Sequence, residues 1–178
     1  MTVIVGVAQE GKVFIGGDSA SVSGYQVEPI LDKVFKNNGY LFGTAGSIRM
    51  KQLLHYSLVP PKPVGDLDRF MAIDFINAIR KCLKDGGHAT LDKNEEAFNG
   101  AFLVGVNGIL FRVSNDFQVV PYRKLNYTAV GAGDNFAIGS LHSTSKFDFS
   151  GSDKVRLALQ AATQFSGAVC APFKIMSI

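Results

Sequence analysis

The stretch MTVIVGVAQEGKVFIGGDS, residues 1–19, decides the fold. Val3, Val5 and Val7 alternate with Ile4 and Gly6, the period of a strand. QEGK (9–12) supplies a tight turn and VFIGG (13–17) returns antiparallel. Both faces of this hairpin are apolar, as expected of strands buried between layers. The first strand starts directly behind Thr2, so a hydroxyl stands at its tip.

Outward from this hairpin, the pattern continues as clustered strands and paired helices. KVFK (33–36) and YLFGTAG (40–46) read as strands, and SIRMKQLLHYSL (47–58) has helical rhythm. DLDRFMAIDFINAIRKCLKDGG (66–87) is the clearest helix. Asp66 is its N-cap, and Leu67, Phe70, Met71, Phe75, Ile79 and Cys82 or Leu83 form its apolar face. HATLDKNEEA (88–97) reads as a polar loop. Strands resume in 98–122, with VNG (106–108) as a hairpin turn. NYTAVGAGDNFAIGSLHS (126–143) reads strand, glycine turn, helix, and GSDKVRLALQAATQFSG (151–167) is a helix with Ser152 as N-cap. A final strand lies in AVCAPFKIMSI (168–178). Strands grouped apart from helix pairs predict an α+β fold of two mainly antiparallel sheets covered by helices, not alternating βαβ units.

The chain has 178 residues, which suits one domain spanning 1–178. Its 47% hydrophobic and 19% charged residues describe a globular chain. The net charge of +3 is mild, and no Lys/Arg block reads as a nucleic-acid or membrane patch. Gln9, Glu10 and Lys12 interrupt the first apolar run, so it is no signal peptide. No segment reaches the roughly 20 apolar residues of a membrane span. Cys82 and Cys170 stand far apart, without CxxC or metal spacing, and read as free thiols in a reducing compartment. A cytoplasmic protein is the expectation. His55, His88 and His142 fall in no catalytic or metal spacing, and GAGDNF (131–136) is not the dinucleotide fingerprint GxGxxG.

The chemistry-bearing residues cluster in the first third. Removal of Met1 leaves Thr2 with a free α-amine. An α-amine with an ordinary pKa of about 8 is a suitable base for the weakly nucleophilic hydroxyl on the same residue. Asp18, in IGGDSAS (15–21), ends the return strand of the hairpin and so approaches Thr2. Lys33, in LDKVFK (31–36), lies between Leu31 and Val34 and can point inward. A lysine beside the amine favours the free base, and a carboxylate holds that lysine charged and oriented. GTAGS (43–47) puts backbone N–H groups where a strand meets a helix, suited to an oxyanion.

The joint pattern MTVIV…VFIGGDSAS…LDKVFK…GYLFGTAGS resembles the start of β-type proteasome subunits, most closely the bacterial HslV-type peptidase, an N-terminal nucleophile (Ntn) hydrolase. The resemblance implies a four-layer αββα sandwich. It implies Thr2 as nucleophile with its own amine as base, Lys33 and Asp18 as the supporting pair, and the Gly46 N–H in the oxyanion hole. The stretch between Asp18 and Lys33 is one residue shorter than the family pattern. The second half departs further. Ala132 and Ala171 stand where the family commonly carries serines, and Ala168 where it carries an aspartate. Those groups hydrogen-bond around the threonine amine, so their loss thins the support of the nucleophile.

The resemblance further implies a threonine-type endopeptidase hydrolysing peptides or unfolded proteins. It implies a homo-oligomer of stacked rings, fed by an ATP-dependent unfoldase, with no nucleic acid or membrane involved. No cofactor is required for the chemistry. A monovalent cation such as Na+ can be bound in this family by backbone carbonyls, here those of Gly167, Cys170 and Phe173. Two alternatives remain open at this point: an assembly or scaffold subunit with weak or no hydrolysis, and an amidase of the same fold acting on small molecules.

Overall fold

The computed structural model of the chain describes residues 2–24, 26–92, 95–167 and 169–178. Met1 and Ala168 therefore lie outside the described residues.

β1 (Val3–Gln9) and β2 (Lys12–Gly17) form the expected hairpin, with Glu10 and Gly11 at positive φ in the turn. β3 (Ala20–Ser23) and β4 (Gln26–Pro29) make a small separate hairpin. β5 (Val34–Asn37) and β6 (Tyr40–Gly46) follow, joined through Asn38 and Gly39. α1 (Ile48–Gln52) runs into a π turn at Leu53–Ser57. α2 (Leu67–Phe70), a π turn (Met71–Phe75) and α3 (Ile76–Asp85) form one continuous helical segment. Phe70 with Phe75, and Met71 with Ile76, are all buried pairs spaced by five. An i→i+5 turn keeps both pairs on the core side, which a regular 3.6-residue turn would not. Leu83, not Cys82, completes that face in the core.

β7 (Ala89–Asp92) and β8 (Glu95–Phe98) pair as a hairpin where the sequence predicts a polar loop. The cause is tertiary. Phe98 is buried against Phe102 and Phe117, and Glu96 is held by Arg80 at 2.6 Å and Lys84 at 3.2 Å from α3. β9 (Gly100–Val106) and β10 (Ile109–Val113) pair through Asn107 and Gly108, both at positive φ, as the VNG signal requires. β11 (Val119–Pro121), β12 (Tyr127–Gly131), α4 (Asp134–Thr144), α5 (Gly151–Phe165) and β13 (Lys174–Ser177) complete the chain. The N-cap of α5 is Ser150, which accepts from the Asp153 N–H at 3.1 Å, in place of the expected Ser152. Gly151 sits against the Phe14 ring, where a Cβ would collide, and this contact draws the helix start back to residue 151.

The two large sheets are antiparallel throughout. One has order β12-β1-β2-β13, the other β11-β10-β9-β6-β5. Ile4, Ile15, Leu41, Leu103 and Leu110 fill the space between them. Close approach of the sheets needs Gly43, where a Cβ would come within 2.5 Å of Ile4 and 2.6 Å of Ile15. The five-stranded sheet packs its other face on α1, α2 and α3 through Phe42, Phe75, Met71 and Phe102. The four-stranded sheet packs on α4 and α5 through Val3, Val5, Leu141 and Leu159. The layers thus run α, β, β, α, the four-layer sandwich read from the sequence.

Candidate active site

Thr2 sits at the edge of the inter-sheet core, one residue before β1, and is only 6% exposed. Its carbonyl accepts from the Gly133 N–H at 3.3 Å, which ties it to the turn between β12 and α4. A Cβ at Gly131 would collide with that same carbonyl, so this glycine permits the close approach.

Asp18 follows β2, beside the start of β1. Its backbone N–H donates to the Val3 carbonyl at 3.3 Å. Its carboxylate accepts from the Val3 N–H at 2.9 Å and the Ala20 N–H at 3.0 Å. Lys33 enters just before β5. Its Nζ lies 2.9 Å from Asp18 Oδ1 and donates to Thr2 Oγ1 at 2.8 Å. The three side chains are buried, with Asp18 1% and Lys33 6% exposed. Burial pulls the Lys33 ammonium below the ordinary lysine range, while the bond to Asp18 acts in the opposite direction. The connection from Asp18 to Lys33 carries the β3–β4 hairpin, and Lys33 reaches both partners.

Two residues missed by the sequence reading hold this arrangement. Thr44 on β6 is 4% exposed and bonds the Lys33 carbonyl with its N–H at 3.0 Å and its hydroxyl at 3.4 Å. Ser19 donates from N–H at 3.1 Å and from Oγ at 3.4 Å to the Cys170 carbonyl, anchoring the C-terminal segment beside Asp18. Their sequence signal was weak, because neither a strand threonine after Gly43 nor a serine in the β2–β3 connection has a distinctive spacing.

Gly46 ends β6 with φ +138°, a value L side chains rarely adopt. It faces Gly100 across the β6–β9 ladder, and a Cβ there would come within 2.7 Å of the Asn99 carbonyl and Gly100 Cα. Gly46 and Thr2 line one cleft of about 400 Å³, together with Ala20, Leu31, Lys33, Thr44 and Lys51. A smaller hollow of about 280 Å³ flanks Thr2 on the side of Ala45, Gly100, Gly131 and Ala132. Ala132 brings only a methyl to that hollow, and Ala171 is exposed.

Neither a family model nor a curated protein matches the sequence. Solved structures do match. Thiobacillus denitrificans BPH superposes with a TM-score of 0.84 at 19% identity, covering 99% of this chain and 97% of that one. BPH in complex with epoxomicin gives 0.83 at 19% identity, covering 99% and 98%. Eukaryotic HslV from Trypanosoma brucei gives 0.72 at 16% identity, again covering 99% and 98%. The chain has the fold of HslV. Within that HslV-like fold, Thr2, Asp18 and Lys33 meet in one buried cluster, with Gly46 on the wall of the same cleft.

Of the expected carbonyl ligands Gly167, Cys170 and Phe173, that of Cys170 accepts from the Ser19 N–H at 3.1 Å and the Ser19 hydroxyl at 3.4 Å. Among the described residues, no group of His, Cys, Asp and Glu could hold a metal ion. No described helix is long and apolar enough to cross a membrane. His55 lies 4.4 Å from the Phe35 ring, and His142 Nδ1 is 3.1 Å from the Tyr127 hydroxyl.

Proposed function

We propose that the chain is an HslV-like threonine peptidase that cleaves peptide bonds with Thr2 once Met1 has been removed. The observation that carries this is the position of Lys33 Nζ, within hydrogen-bond distance of both Thr2 Oγ1 and Asp18 Oδ1 in a buried setting. Thr2 Oγ attacks the substrate carbonyl and passes its proton to the Thr2 α-amine. The Lys33 ammonium, oriented by Asp18, stabilises the developing charge on Oγ. The Gly46 N–H donates to the substrate oxyanion. The protonated amine then gives its proton to the leaving amine, leaving an ester on Thr2. Water attacks this ester, with the α-amine again taking the proton, and the acid product leaves as Oγ regains its hydrogen.

BPH binds epoxomicin, and the same type of reagent suits an N-terminal threonine with a free amine. The reading extends to a cytoplasmic homo-oligomer of stacked rings fed by an ATP-dependent unfoldase. Intact mass checks that the protein begins at Thr2. A peptide epoxyketone should then add to the wild-type protein and not to Thr2→Ala. No adduct on a protein shown to begin at Thr2 refutes the reading. A scaffold subunit without hydrolysis is the second reading, favoured by Ala132, whose methyl offers no hydrogen bond beside Thr2.

A further inference from the structure

Among the described residues, three charged side chains line the larger cleft: Asp32, Lys33 and Lys51. Two are neutralised locally. Lys33 pairs with Asp18 at 2.9 Å, and Asp32 pairs with Lys174 at 2.7 Å. Lys51 on α1 forms no ion pair among the described residues. Its ammonium lies 5.8 Å from the Phe35 ring centroid and 5.7 Å from that of Tyr56. Two aromatic faces therefore hold a cation at the cleft wall without cancelling its charge. His55, stacked between those rings, feels it: burial first, then Lys51 and Lys174, hold its imidazole below the ordinary range.

We infer that the cleft selects a substrate with an acidic side chain, glutamate or aspartate, on the acyl side of the scissile bond, with Lys51 as the specificity-determining residue. This rests on the peptidase reading and adds a substrate class to it. An acyl carbon on Thr2 Oγ with its oxygen at Gly46 must extend its side chain from Thr2. The cleft of about 400 Å³ holds a glutamate, whereas the hollow beside Ala132, about 280 Å³, is walled by glycines and alanines and carries no charge. A carboxylate entering the larger cleft meets Lys51, which among the described residues has no counter-ion, and Asp32, already paired, repels it little. A lysine or arginine in the same place would meet uncompensated positive charge.

The test compares fluorogenic tripeptide amides ending in Glu, its isostere Gln, and Lys. Wild-type protein should turn over the Glu substrate roughly fivefold faster than Gln at low salt, a ratio that shrinks as salt is added. Lys51→Gln should bring the Glu-to-Gln ratio to about one, Lys51→Arg should keep the preference, and Lys51→Glu should shift it to Lys. A parallel titration follows binding of N-acetyl tripeptide amides ending in Glu or Gln to Thr2→Ala protein by NMR. Turnover with equal Glu and Gln rates, or a preference unchanged in Lys51→Gln, overturns the inference and leaves the peptidase reading standing. No turnover by protein whose intact mass shows that it begins at Thr2, with a preference for the Glu peptide in the binding arm that is lost in Thr2→Ala/Lys51→Gln, supports the acid-selective cleft and overturns the peptidase reading. Equal binding of both peptides in the absence of turnover overturns both.

Discussion

Replacing Lys33 by methionine tests whether the buried cluster is charged as the structure implies. The side chains of Lys33 and Asp18 are 7% and 0% exposed. Lys33→Met keeps the aliphatic volume and removes the ammonium. Asp18 then keeps the Val3 and Ala20 N–H groups as donors but loses the ammonium. Breaking a buried pair on one side costs about 3–5 kcal/mol, because the remaining charge is left uncompensated in a low-dielectric site. For a chain of this size that is a fall in Tm of roughly 6–20 °C. Urea unfolding at pH 7 and fixed protein concentration, read by circular dichroism, measures the loss, and the m-value should not change. The double variant Asp18→Asn/Lys33→Met removes the stranded charge and should recover at least half of the deficit. A single variant within about 1 kcal/mol of wild type would refute the reasoning, since no buried charge could then have been abandoned.

Further outcomes follow from other parts of the molecule. Gly46→Ala should lose epoxyketone labelling and about 1–3 kcal/mol, from strain at φ +138° and the clash with Asn99 and Gly100. Gly11→Ala, at φ +72° with open space around its Cβ, should lose about 1–2 kcal/mol and still label. Phe75→Ala, fully buried between Tyr40 and Phe42, should cost about 3–5 kcal/mol in denaturant titrations. Burial pushes the Tyr40 phenol up to about 12 from its ordinary 10, so the folded chain binds more protons between those values. Its contribution to stability should fall as pH rises through that window, and absorbance at 295 nm should show one of the five tyrosines ionising last. Lys33 acts with the opposite sign. Below 10.5 the unfolded chain binds more protons at this residue, so its contribution rises with pH from the lowered value up to 10.5.

Much of the site was legible because it is built from neighbouring strands. A two-residue turn at Glu10 and Gly11 returns Asp18 beside Thr2 whatever the rest of the chain does. The cap at Asp66 is equally local: its side-chain oxygen accepts the Arg69 N–H in the first turn of its own helix. The α5 cap was misplaced by two residues because its position depends on Phe14, which is distant in sequence. The β7–β8 hairpin was missed for the same reason, since its polar pattern gains a buried Phe98 and a clamped Glu96 only after α3 packs. No sequence spacing marks Lys51, whose partners are the Phe35 and Tyr56 rings.

The sequence by itself determined the first hairpin, the VNG turn, the Asp66 helix start and the approach of Asp18 to Thr2. These follow from side-chain period and backbone conformation, which act over a few residues. Only the tertiary structure decided that Lys33 reaches Thr2 across its shortened connection, that Gly46 takes a conformation open to glycine alone, and that Lys51 keeps an uncancelled charge in the cleft. Each depends on which groups two separate sheets and a helix bring within a few ångströms, and no local pattern encodes that distance.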